Sequence, residues 1–129
     1  MAGEGRQSKT GMNYPEAALP LTPAVFYILV ALAERDRHGY AIMQEVHARS
    51  GGVVRLGPGT LYGAISRMLR DGLIAESEER PDPELDDRRR RYYRLTDRGS
   101  RALAAETQRL GDLARLARST RAIRGLKQA

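Results

Sequence analysis

Two groups of arginines stand out by position. Arg67 and Arg70 lie in a helix-like stretch otherwise short of charge, and Arg88, Arg89, Arg90 and Arg91 form an unbroken run. A guanidinium is a planar fork of donors that fits phosphate oxygens or the edge of a guanine. Around the first group, Thr60, Gly63 and Ser66 are small, so the backbone that carries them can approach a surface closely. Gly57-Pro58-Gly59-Thr60 opens the stretch. Proline fits the first helical position, and a helix N-terminus aims free N–H groups at phosphate. Pro58, Gly59, Thr60, Gly63, Ser66 and Arg67 are therefore candidates for contact with base edges or phosphate. Arg70 joins them or merely offsets the helix dipole. Arg88 to Arg91 either neutralise phosphates, each adding a salt-dependent term, or form a solvated run paired with Asp82, Glu84, Asp86 and Asp87.

Tyr40 and Tyr62 have two uses open to them: each ring can pack while its hydroxyl stays at the edge, or the hydroxyl can donate to a phosphate. Tyr40, at the head of a helix, inclines to phosphate, and Tyr62 stays open. Tyr92 and Tyr93 read as strand packing. His38 and His47 read as surface or satisfied residues, with neither a pH role nor a metal site implied. Gly57 to Gly63 superficially suggests a nucleotide loop, but the spacing is wrong for G-x-G-x-x-G and no βαβ unit follows. Arg115, Arg118, Arg121, Arg124 and Lys127 recur every three residues. At 100° per residue that set spirals around a helix, which reads as a basic, solvated tail.

The charge of the whole chain points to a polyanionic partner or reflects an arginine-rich genomic composition. It has 129 residues and a net charge of +6, and 20 of its 22 basic residues are arginine. Residues 1–85 hold 9 basic and 11 acidic residues, whereas residues 86–129 hold 13 basic and 5 acidic. With no cysteine there is no disulfide, thiolate nucleophile or cysteine metal site. No nucleophile–base pair, carboxylate dyad or metal cluster is visible, so an enzyme is not expected and no cofactor is implied. The longest apolar run, Ala24 to Ala33, is about half of the ~20 residues a membrane span needs. The polar N-terminus has no signal-like core, so a cytoplasmic protein is expected.

The elements that must hold these residues can be read in order. Residues 1–18 read as a flexible arm. Thr22 caps a helix with Pro23 at its first position, apolar nearly all round to about Glu34. Asp36 to Gly39 reads as a turn. Tyr40 to Ser50 reads as a second helix with Ile42, Met43 and Val46 on one face, stopped by Gly51-Gly52. Val53 to Leu56 is a candidate short strand. The third helix, Pro58 to Arg70, buries Leu61, Ile65, Met68 and Leu69 and exposes Thr60, Gly63, Ala64, Arg67 and Arg70. Leu73–Glu79 and Arg89–Leu95 read as two strands around a proline-rich charged loop. Thr96-Asp97 then caps a last helix to at least Ala117. Leu103, Leu110, Leu113, Leu116 and Ala117 line a seam on it that a second copy of the chain would cover.

Three helices, a two-stranded hairpin and a long helix describe a mainly α fold: a winged helix-turn-helix over residues 19–96, followed by a C-terminal dimerisation helix and basic tail over 97–129. Several stretches carry a resemblance. Leu29-Val30-Ala31-Leu32, His38-Gly39-Tyr40, Pro58-Gly59-Thr60-Leu61-Tyr62, Asp71-Gly72-Leu73-Ile74 and Arg90-Arg91-Tyr92-Tyr93-Arg94-Leu95-Thr96 together resemble the PadR family of bacterial transcriptional regulators, in its short form with one C-terminal helix. The resemblance implies a homodimeric repressor that binds a two-fold, pseudo-palindromic double-stranded DNA operator through its winged helix. It also implies release by a small-molecule effector. Gly57 replaces the family's usual serine cap. Asp86-Asp87 precedes the basic run where glycine is usual, and no tryptophan is present for an aromatic ligand platform. The alternative is a winged-helix module that binds another protein without specific DNA binding. The scarcity of aromatics argues against sequence-specific recognition of single-stranded RNA.

Overall fold

The computed structural model describes residues 19–77 and 91–128. Thr22 starts the first helix, α1 (Pro23–Glu34), by accepting the Val25 N–H at 3.2 Å, with Pro23 at the position where a missing N–H costs nothing. Ile28, Leu29, Ala31 and Leu32 of α1 are buried, and the other helices pack around them.

A two-residue strand, β1 (Arg37–His38), follows where the sequence reads as a turn. It leads directly into α2 (Gly39–Arg49), whose N-cap is His38: the imidazole Nδ1 accepts the Ala41 N–H at 3.1 Å. Ile42 and Val46 seal the inner face of α2. The helix ends in a Schellman turn. Gly51 has φ +64°, its N–H donates to Ala48, and Gly52 N–H reaches His47 O at 2.8 Å. Residues 53–56 then run as irregular chain, not as a strand.

The third helix, α3 (Pro58–Arg70), buries Leu61, Ala64, Ile65 and Met68. Ala64 was expected on the outer face. It lies three residues after Leu61 and four before Met68, which places it on the inner stripe, while Leu69 is only half-buried at the stripe's edge. A second Schellman turn closes α3 at Gly72 (φ +79°), with Leu73 N–H on Met68 O at 2.9 Å.

The hairpin strands are β2 (Ile74–Glu76) and β3 (Tyr92–Leu95), both shorter than the sequence reading. Among the described residues the sheet is antiparallel and has three strands, ordered β1-β3-β2. Arg37 pairs with Tyr93 on one side of β3, and Glu76 pairs with Tyr93 on the other. Tyr93 turns into the core at 3% exposure, and Arg94 points to solvent. The tyrosine ring at 92 meets His38 edge-on, with centroids 5.2 Å apart.

Thr96 caps the long helix α4 (Asp97–Arg118), accepting the Gly99 N–H at 3.0 Å. Its hydroxyl also donates to the carbonyls of Gly72 and Leu73, so the same side chain ties the helix start to the end of α3. Beyond Arg118 the helix is interrupted at Ser119-Thr120 and resumes as α5 (Arg121–Gln128).

Where α4 crosses α1, Glu106 is buried to 1% exposure. Its carboxylate accepts from Arg109 Nε and Nη2 at 2.7 and 2.8 Å and from Leu21 N–H at 3.2 Å. The Arg109 guanidinium, helped by the Leu21 N–H, holds the Glu106 carboxyl below the ordinary carboxylate value despite burial. A carboxyl depressed in the folded state contributes stability above its unfolded value and loses it as pH falls through the lowered one. We expect the wild type to lose stability in that acid window and Glu106→Gln to show a shallower loss. Thermal melts followed by circular dichroism across pH check this, and parallel pH profiles for the two proteins would contradict it.

Candidate nucleic-acid interface

The outward face of α3 is where most of the candidate residues meet. Pro58, Gly59, Thr60, Ser66, Arg67 and Arg70 are exposed, and Gly63 is half-exposed among them. No side chain caps the N-terminus at Gly57, and Pro58 has no N–H. The N–H groups of Gly59 and Thr60 consequently have no partner among the described residues. They stand at the positive end of the helix dipole, open to an anion. Arg67 turns back along the helix, its Nη1 3.7 Å from where a side chain on Gly63 would begin. A Cβ at 63 would meet that guanidinium only in ordinary van der Waals contact. Arg67 and Arg70 also occupy the last turn, where positive charge suits the dipole.

The two tyrosines separate. Tyr40 is 52% exposed at the first turn of α2. Tyr62 is half-buried, and its ring lies across Gly39, with its hydroxyl 2.2 Å from where a Cβ on Gly39 would stand. A Cβ on Gly39 would collide with that ring, so glycine there lets α3 lie close against α2. His38 is held as a cap, and His47 is exposed on the outer face of α2.

Of the basic run, Arg91 is exposed and lies 3.9 Å from Glu76, while Arg88, Arg89 and Arg90 fall outside the described residues, as do the arm and the hairpin tip. Leu103 packs against the chain's own core, so the uncovered apolar surface of α4 begins further on. Leu110, Leu113 and Leu116 are 39%, 47% and 63% exposed, and Ala117 is exposed beside them. Among the described residues no group of histidine, cysteine or carboxylate side chains could hold a metal. Gln44 and Arg55 line a groove with Tyr40 and His47 of α2. The sequence shows Gln44 only as an outward residue of α2, and nothing local marks Arg55, because its placement depends on the Gly51-Gly52 turn.

A helix with a sealed inner face and an exposed basic outer face, flanked by a small antiparallel sheet, defines the winged helix-turn-helix class. The model of the "Transcriptional regulator PadR-like family" matches residues 28–105. The chain is 40% identical over 89 residues to the transcriptional regulator Rv3488 of Mycobacterium tuberculosis, covering 69% of this chain and 77% of that one. A PadR family transcription regulator from Clostridium difficile R20291 superposes with a TM-score of 0.61 at 26% identity, over 74% of this chain and 94% of the other. RosR of H. salinarum superposes with a TM-score of 0.59 at 26% identity, over 86% and 90% of the two chains.

This chain belongs to the PadR-like family of transcriptional regulators. Members of that family bind DNA and are not enzymes. No helix among the described residues is long and apolar enough to cross a membrane.

Proposed function

We propose that the chain is a homodimeric repressor that binds a pseudo-palindromic DNA operator and is released by a small ligand. The observation that carries the reading is α3: apolar Leu61, Ile65 and Met68 face the core, while Thr60, Gly63, Ser66 and Arg67 present small and cationic groups outward. That face fits a major groove ~12 Å wide, and Arg67 suits the two acceptors of guanine. Tyr40 and Arg70 would add contacts at the rim. The arginines from Arg88 to Arg91 would grip flanking backbone or minor groove.

The dimer is supported by Leu110, Leu113 and Leu116, three leucines left in water along one helix. Two-fold symmetry would set the α3 helices about one DNA turn apart, ~34 Å. For the effector, support comes from a hollow of about 330 Å³ between α1 and α4. Leu21, Phe26, Tyr27 and Leu110 supply its apolar walls, and Glu106 with Arg109 its polar end. Such mixed, concave space beside a dimer seam suits a small molecule. Regulation of this kind would operate in the cytoplasm, where the operator is.

The test is capture of genomic fragments by the purified protein, followed by salt-titrated gel shifts on the enriched sequences. The expected result is an enriched inverted repeat whose binding weakens steeply with salt. Absence of double-stranded DNA binding at low salt would overturn the reading in favour of a protein-interaction module.

A further inference from the structure

Tyr40, Gln44 and His47 stand at i, i+4 and i+7 on α2 and share the face opposite Ile42 and Val46. The Gly51-Gly52 turn folds the chain back, so that Arg55 and Leu56 wall the other side. With Met43 these residues enclose an open groove of about 480 Å³. It leads straight to the recognition helix, since Leu56 lines it and Gly57 is the N-cap of α3.

The chemistry of the groove is one-sided. Tyr40, Gln44, His47 and Arg55 are all exposed, and no carboxylate is among the lining residues. The nearest acid on α2, Glu45, is engaged elsewhere, 2.6 Å from Arg49 and 3.7 Å from Arg37. Arg55 Nε donates to Gly52 O at 3.4 Å, and its other two nitrogens have no partner among the described residues. Among the described residues, the charged and titratable groups that line the groove with His47 are Arg55 from the returning loop and Tyr40 from its own helix. The cleft therefore offers a permanent cation, a conditional one, a hydroxyl and an amide, a donor set suited to a phosphate diester.

We propose that this groove seats a backbone phosphate of the DNA strand flanking the bases α3 reads, and that His47 makes the grip pH-dependent. The inference rests on the DNA-binding reading above. Histidine is the side chain whose charge changes between pH 5 and 8. A phosphate in the groove favours the imidazolium, so binding takes up a proton and tightens as pH falls. His38, the other histidine, cannot supply the same response. Its Nδ1 already accepts the Ala41 N–H as the α2 cap, and protonation there removes the acceptor.

Fluorescence anisotropy of the full chain with a labelled random-sequence duplex tests this, because backbone contacts act on any sequence. Wild type should bind about five- to tenfold more tightly near pH 6 than near pH 8 at one salt concentration. His47→Gln should remove most of that change while matching wild type near pH 8. Arg55→Gln should weaken binding at both pH values and reduce the salt slope by about one. Circular dichroism of both variants should match wild type, since both side chains lie outside the core. A His47→Gln protein with an unaltered pH response, or an Arg55→Gln protein with an unaltered salt slope, overturns the groove and leaves DNA binding standing. A wild type that fails to bind the duplex at low salt overturns both.

Discussion

Replacing Gly99 with alanine is expected to destabilise the fold by about 3 kcal/mol, a fall of roughly 10–20 °C in melting temperature. A Cβ at this position would stand 2.1 Å from the carbonyl oxygen of Leu73, 3.1 Å from its carbon and 2.8 Å from Leu95 Cδ1. The carbonyl has no freedom to retreat. It accepts from Thr96 N–H at 3.2 Å and from the Thr96 hydroxyl at 2.9 Å. The methyl group would have to push the first turn of α4 off the end of α3 and break the Thr96 cap in doing so. Gly99 is required by space alone, since its φ is not positive. The neighbouring Ser100→Ala is the control: Ser100 is exposed, and its loss should leave the melting temperature almost unchanged. A Gly99→Ala protein as stable as wild type would mean that α4 does not dock on Leu73 as described.

The second large effect concerns the proposed homodimer. The double change Leu110→Asp with Leu113→Asp should convert a dimer to a monomer at micromolar concentration and weaken operator binding about a hundredfold or more, because one protomer then reads only one half-site. Neither leucine belongs to the buried core, so the circular dichroism spectrum should stay native. The driving force at stake is the apolar area of these side chains, about 1.5–3 kcal/mol for each leucine fully covered. Light scattering checks the mass, and a double variant that keeps the wild-type mass would place the interface elsewhere.

What the sequence made legible, and what it hid, follows the range of the forces involved. Thr22-Pro23 and Thr96-Asp97 announced two helix starts because capping is settled within three residues. Gly51-Gly52 and Asp71-Gly72 announced two helix ends for the same reason. The inner stripe of α3 was readable from Leu61, Ile65 and Met68, but alanine carries too little hydropathy to mark Ala64 as part of it. Strand β1 left no signal, since two residues have no period and Arg37–His38 is extended only because β3 offers it an edge. Glu106 looked like any surface acid. Its burial needs Leu21, 85 residues away, and Arg109 on the next turn. On the candidate interface, the exposed face of α3 was legible from composition and spacing, whereas Arg55 joins α2 only through the fold of the intervening turn.

Whether α3 reads DNA sequence is tested by comparing wild type with Arg67→Ala on two duplexes of equal length at one salt concentration. One duplex carries the captured operator and the other a random sequence. Arg67→Ala should lose about ten- to a hundredfold on the operator and change only slightly on the random duplex. Equal losses on both, or none on either, would contradict sequence reading by α3.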